Sequence, residues 1–93
     1  MTLSRATDNT HKYTAVIEIN KIIHKINFGA KNYLDYTLTN NEDQKKAYIA
    51  RHKVNENWTK SGITTPGFWS RWILWNKKTV KLSIEDVKRR FNI

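Results

Sequence analysis

Asp35, Arg51 and His52 are the residue types from which a phosphodiester-cleaving site is built: an imidazole to move a proton, a carboxylate to orient it and a guanidinium to hold the phosphate. Arg51 and His52 are neighbours, and adjacent side chains on a helix point about 100° apart, so the two do not face one cleft centre together. The preferred reading is structural. Asp35 caps the turn after Gly29 or pairs with Arg51, and His52 packs at the core margin with a ring N–H on a backbone carbonyl. His11, His24 and His52 are far apart and show neither His-x-x-x-His nor His-Glu-x-x-His spacing, so no metal site is expected. There is no phosphate-cradling glycine loop, no Gly-x-Ser-x-Gly and no cysteine, so neither catalysis nor a cofactor is expected.

A second candidate is Gly67-Phe-Trp-Ser-Arg-Trp-Ile-Leu-Trp75, which holds three of the chain's 4 tryptophans. Exposed aromatics stack bases at about 1–3 kcal/mol each in sequence-tolerant nucleic-acid binders. The spacing here is helical, with Phe68, Trp72 and Trp75 at i, i+4 and i+7 and Trp69 and Ile73 in an adjacent row. A helix apolar over more than half its circumference belongs inside a small domain. The stripe is therefore read as core, with Trp69 the ring left at the surface and Arg71 on the polar strip.

Charge is the third signal. The chain has 17 Lys and Arg against 8 Asp and Glu, a formal net charge of +9. Up to Gln44 basic and acidic residues cancel; from Lys45 onward the only acids are Glu56, Glu85 and Asp86, so the whole excess lies in the second half. Such a one-sided field favours polyanions. The candidate nucleic-acid contacts are Lys45, Lys46, Arg51, Lys53, Arg71, Lys77, Lys78, Lys81, Lys88, Arg89 and Arg90. They would reach phosphates, releasing counterions, so that log affinity falls with log salt by about 0.9 per phosphate contacted.

These residues need elements to position them. Residues 1–11 are polar and aperiodic and read as a loose arm, leaving residues 12–93 as one basic domain. Tyr13, Ala15, Ile17 and Ile19 alternate as a strand, Ile22 to Phe28 reads as a second, and Asn20-Lys21 joins them in a tight hairpin whose second register is ambiguous. Tyr33 to Leu38 allows a third, edge strand. Thr39-Asn40-Asn41 followed by Glu42 and Asp43 starts a helix running to about Lys53, with Lys45, Lys46, Arg51 and Lys53 toward solvent. Thr65 and Pro66 open a second helix, and Thr79 caps a third, with Val80, Ile84, Val87 and Phe91 on one face. The fold class is α+β: a small antiparallel sheet, a β-hairpin plus an edge strand, followed by three helices packed on one side. The expected core is Tyr48, Trp58, Phe68, Trp72, Trp75, Val80, Ile84, Val87, Phe91 and the inner face of the hairpin.

Asn27-Phe-Gly-Ala30 with Tyr33-x-Asp-Tyr-Thr37, Tyr48-Ile-Ala-Arg-His-Lys53 and Gly67 to Lys77 together resemble an uncharacterised family of small basic proteins of giant (nucleocytoplasmic large) DNA viruses, over about residues 13 to 93. The resemblance implies a viral source and carries over neither an activity nor a site residue. Two functions then compete. One is non-catalytic, sequence-independent binding of nucleic acid, viral DNA first. The other is a structural virion or assembly protein that docks an acidic viral protein. No apolar run is long enough for a membrane span and no signal peptide is visible, so an intracellular protein of the host's nucleus or the viral factory, or one packaged in the virion, is expected.

Overall fold

The computed structural model describes residues 1–93. Strands β1 (Thr2–Arg5), β2 (His11–Ile19) and β3 (Ile22–Ala30) form an antiparallel sheet in that order. Helices α1 (Tyr36–Thr39), α2 (Glu42–His52), α3 (Pro66–Trp69) and α4 (Val80–Phe91) follow, with a 3-10 turn at Lys60–Gly62 and a π turn at Ser70–Leu74 that continues α3. The fold is α+β, as its residue patterning implies. No helix is long and apolar enough to cross a membrane.

The hairpin forms where its turn residues allow it. Asn20 and Lys21 both take positive φ, 51° and 66°, and Ile19 faces Ile22 across the turn. Two left-handed residues make the turn whose twist matches that of the flanking strands. That register resolves the ambiguity in β3: Ile26 and Phe28 face the core, while Ile22 and Ile23 stay exposed at the hairpin tip. At the other end Gly29 sits at φ 78°, and a Cβ there would lie 2.7 Å from Leu74 Cδ1. Only glycine meets both the angle and the close approach.

Two expectations fail in the sheet. The arm over residues 1–11 is not loose, because Thr2–Arg5 pairs with β2, Leu3 opposite Ala15. Its connection is closed by Asp8, whose carboxylate accepts from the backbone N–H of Thr10 (3.1 Å) and His11 (2.8 Å) and meets His11 Nδ1 at 2.7 Å. A polar edge strand draws its order from the neighbouring backbone, so side-chain period does not reveal it. Tyr33–Leu38, conversely, supplies no strand. Asp35 Oδ1 accepts from Thr37 N at 2.9 Å and starts α1, burying Tyr36. A side-chain cap here overrides β propensity.

The Asp8 turn carries a pH prediction. Hydrogen bonds from the His11 side chain and backbone hold the Asp8 carboxyl down at about 2. A depressed folded pKa gives stability that is complete above the ordinary aspartate value and lost as pH falls toward the folded one. Carboxyl NMR titration is therefore expected to give Asp8 a midpoint near 2; a midpoint near the ordinary 3.9 or so would mean the turn is not held this way.

The core lies between the sheet and the helices on one of its faces. Ala15, Ile17, Ile26 and Phe28 meet Ile63, Phe68, Trp69, Ile73, Leu74 and Val87. Burial of each large side chain contributes about 1.5–3 kcal/mol. Trp69, expected at the surface, is fully buried, and its indole N–H donates to Ile63 O at 2.7 Å. Trp58, Trp72 and Trp75, expected in the core, lie half-buried at its margin. The π turn is the reason. Its bond runs from Trp75 N to Ser70 O, five residues back, at 3.1 Å. Burial accordingly recurs from Phe68 and Trp69 to Ile73 and Leu74, a step of five that a 3.6-residue period misses.

The three long helical segments begin at their expected caps: Asn41 Oδ1 accepts from Gln44 N, Thr65 Oγ1 from Phe68 N and Thr79 Oγ1 from Leu82 N. Within α2 only Tyr48 is buried. Its ring stacks on Trp75 at 4.4 Å and on His52 at 4.2 Å, so α2 is fastened by an aromatic stack and leaves most of its surface free.

Candidate nucleic-acid interface

A helix end leaves its last carbonyls without intrahelical partners. Where the π turn ends, side chains supply them. Arg71 Nη1 donates to Trp75 O at 2.7 Å, Lys45 Nζ to Asn76 O at 2.6 Å, and Asn76 Nδ2 to Trp72 O at 3.1 Å. Two cations thus sit on consecutive carbonyls. Lys45 also lies over the Tyr36 ring, 4.8 Å from its centroid. It does not extend into solvent as its helical position suggested. Burial lowers the Lys45 pKa, and the Arg71 charge lowers it further.

Arg71 and Arg90 both lie over Trp72, their Cζ atoms 4.3 and 4.4 Å from its ring centroid, and Arg71 is 5.5 Å from that of Trp58. Burial also lowers the Arg71 pKa, and the Arg90 charge comes next. The carboxylate on Arg90 is Asp86, which is buried and accepts from Asn76 Nδ2 at 2.7 Å and Arg90 Nε at 3.2 Å. Burial pushes the Asp86 pKa up, but these hydrogen bonds and the nearby positive charges outweigh it, and the net shift is downward. Arg89 reaches Asp86 only at 3.4 Å and is largely exposed.

The other candidate cations have no acidic partner. Lys46, Arg51, Lys53, Lys77, Lys78, Lys81 and Lys88 are exposed and make no ion pair. Lys46 on α2 and Lys53, the C-cap that follows it, are seven residues apart and lie toward the same outward face. Lys77 and Lys78 lie in the connection before α4. Lys81 and Lys88 share one flank of α4, while Asp86 and Arg90 occupy the other.

Arg51 and His52 border a cleft of about 860 Å³ that also touches Lys12, Tyr33, Asp35 and Glu56. The cleft brings Asp35, Arg51 and His52 to one space without coupling them. Asp35 is held by Lys12 Nζ at 2.5 Å and by Thr37, so it neither caps the Gly29 turn nor pairs with Arg51. His52 Nδ1 is 3.7 Å from Glu56 and its ring stacks on Tyr48; no backbone carbonyl takes its N–H.

Sequence reasoning missed Lys12, Asn76 and Asp86. Asp86 was legible as the acid three and four residues before Arg89 and Arg90. Lys12 carried no local signal, since its partner is 23 residues away.

No curated protein matches the chain, and no solved structure matches it. A family model does match, over residues 1–52, which span the sheet, α1 and α2. Of the clustered cations it includes Lys45 and stops before Arg71 and Arg90. With more than half its length matched, the chain belongs to a family of unknown function, DUF5754.

Proposed function

We propose that this protein binds nucleic acid non-catalytically and without sequence preference, through phosphate contacts. The observation that carries the reading is the set of exposed cations without acidic partners on α2, the connection before α4 and α4 itself. Unpaired cations of this kind meet phosphates as point charges and carry no sequence information by themselves. If the source is a large DNA virus, as the sequence resemblance implies, the polymer is viral DNA.

Binding to an arbitrary duplex at several salt concentrations tests this. A log–log slope of about −3 or steeper is expected, with Lys46→Gln and Lys81→Gln each making it shallower by roughly 0.9. Binding that is undetectable at low salt, or insensitive to salt, sinks the reading. A second reading, a virion or assembly protein docking an acidic protein partner, draws on the exposed apolar residues Tyr33, Leu34 and Leu38. Under it, capture of such a partner would be lost on Tyr33→Ala, while duplex binding stays undetectable at low salt.

A further inference from the structure

We infer that Arg71, Arg90 and Lys45 form a preformed seat for one phosphate group at the rim of Trp72, distinct from the flexible lysines around it. The ligand is a phosphate of a nucleic-acid backbone, so the inference rests on the proposed function for its source and on the geometry for its existence.

Three observations converge. The cations are already in place: Lys45 and Arg71 are tied to the adjacent carbonyls of Asn76 and Trp75, and Arg71 and Arg90 are packed on one indole. Ordering long side chains is the usual penalty of surface ion contacts, and here folding has already met it.

The guanidiniums also keep donors free. Arg71 uses only Nη1 and Arg90 only Nε, of five N–H groups each. No buried side-chain polar atom lacks a partner, so the remaining Arg71 donors reach solvent.

The group is short of negative charge. Asp86 is shared among Asn76, Arg89 and Arg90, and Glu42, at the start of α2, accepts from the Tyr36 hydroxyl. Arg71 and Lys45 have no carboxylate within bonding distance. Like charges gathered at a half-buried site repel one another, and a bound anion relieves that repulsion. Guanidinium is suited to phosphate oxygens by its planar fork, so Arg71 and Arg90 supply direction and Lys45 supplies charge.

The test titrates inorganic phosphate at constant ionic strength into the whole protein and follows the Trp72 indole N–H by NMR. Saturable shifts at Trp72 are expected. Arg90→Gln should weaken phosphate on the order of tenfold, while Lys25→Gln, which removes the same charge from an exposed position on β3, should leave it unchanged. Arg90 is exposed, and without it Asp86 keeps hydrogen bonds from Asn76 Nδ2 and Arg89 Nη2, so the variant is expected to fold. Equal effects of the two variants, or no saturable shift, overturn the seat even if the duplex binds with a steep salt slope. Saturable phosphate binding lost in Arg90→Gln, with no duplex binding, leaves the seat standing and removes the nucleic-acid reading.

Discussion

Trp69→Ala is expected to lower stability by about 3–5 kcal/mol, the usual range for emptying a fully buried tryptophan site. The side chain has no exposed surface, contacts Phe28 and Phe68, and donates its indole N–H to Ile63 O. Small domains hold only about 5–15 kcal/mol in total, so the variant stands close to unfolding. Trp69→Phe, which keeps most of the volume and loses the hydrogen bond, should fold with a smaller loss. Trp75→Ala is expected to lose less than Trp69→Ala, because Trp75 is half-buried and holds chiefly α2 through Tyr48. Urea denaturation measures all three. A Trp69→Ala loss below that of Trp75→Ala would contradict the packing described above.

Asp86→Ala is expected to lower stability by about 2–4 kcal/mol. Removing the carboxylate leaves Asn76 Nδ2 with Trp72 O alone and takes the one nearby negative charge from Arg90. Because Arg90 reaches solvent, the loss falls toward the lower end of that range. The pH dependence follows from the downward shift of the Asp86 pKa. A group whose folded pKa is depressed stabilises fully above its unfolded value, near 3.9, and stops doing so as pH falls through the folded one. Acid unfolding of the parent below about pH 4 should therefore be blunted in the variant. Under the phosphate-seat inference, added phosphate should also recover more stability in Asp86→Ala than in the parent, since the competing carboxylate is gone. A loss under about 0.5 kcal/mol, the level of an ordinary surface substitution, would show that Asp86 does not hold this end of the helix.

Much of the fold could be read from local chemistry. Asn20-Lys21 specified the turn, Asn41, Thr65 and Thr79 marked helix starts, and the Val80, Ile84, Val87 and Phe91 spacing gave the inner face of α4. These signals are local: each involves residues within one element or turn. What escaped is what distance decides. β1 depends on backbone pairing with residues some ten positions away, and Asp35 turned to α1 and Lys12 rather than to Arg51. The candidate cations could be named from charge alone, but not sorted. Nothing in the spacing of Lys45 and Arg71 shows that both would be taken up by the carbonyls of Trp75 and Asn76 while Lys46 and Lys88 stay free.

The five-residue bond at Ser70 to Trp75 acts as a phase shift along one helix. Before it, Phe68 and Trp69 are in phase with the sheet; within it and at its end, Trp72 and Trp75 come round to the margin, where one receives two guanidiniums and the other a tyrosine. Deleting one residue from the wide turn would return the helix to its ordinary rotation and carry Arg71 and Trp72 away from their partners without altering the protein's charge. Where the positive charge gathers is thus a matter of angle as much as of the number of lysines and arginines.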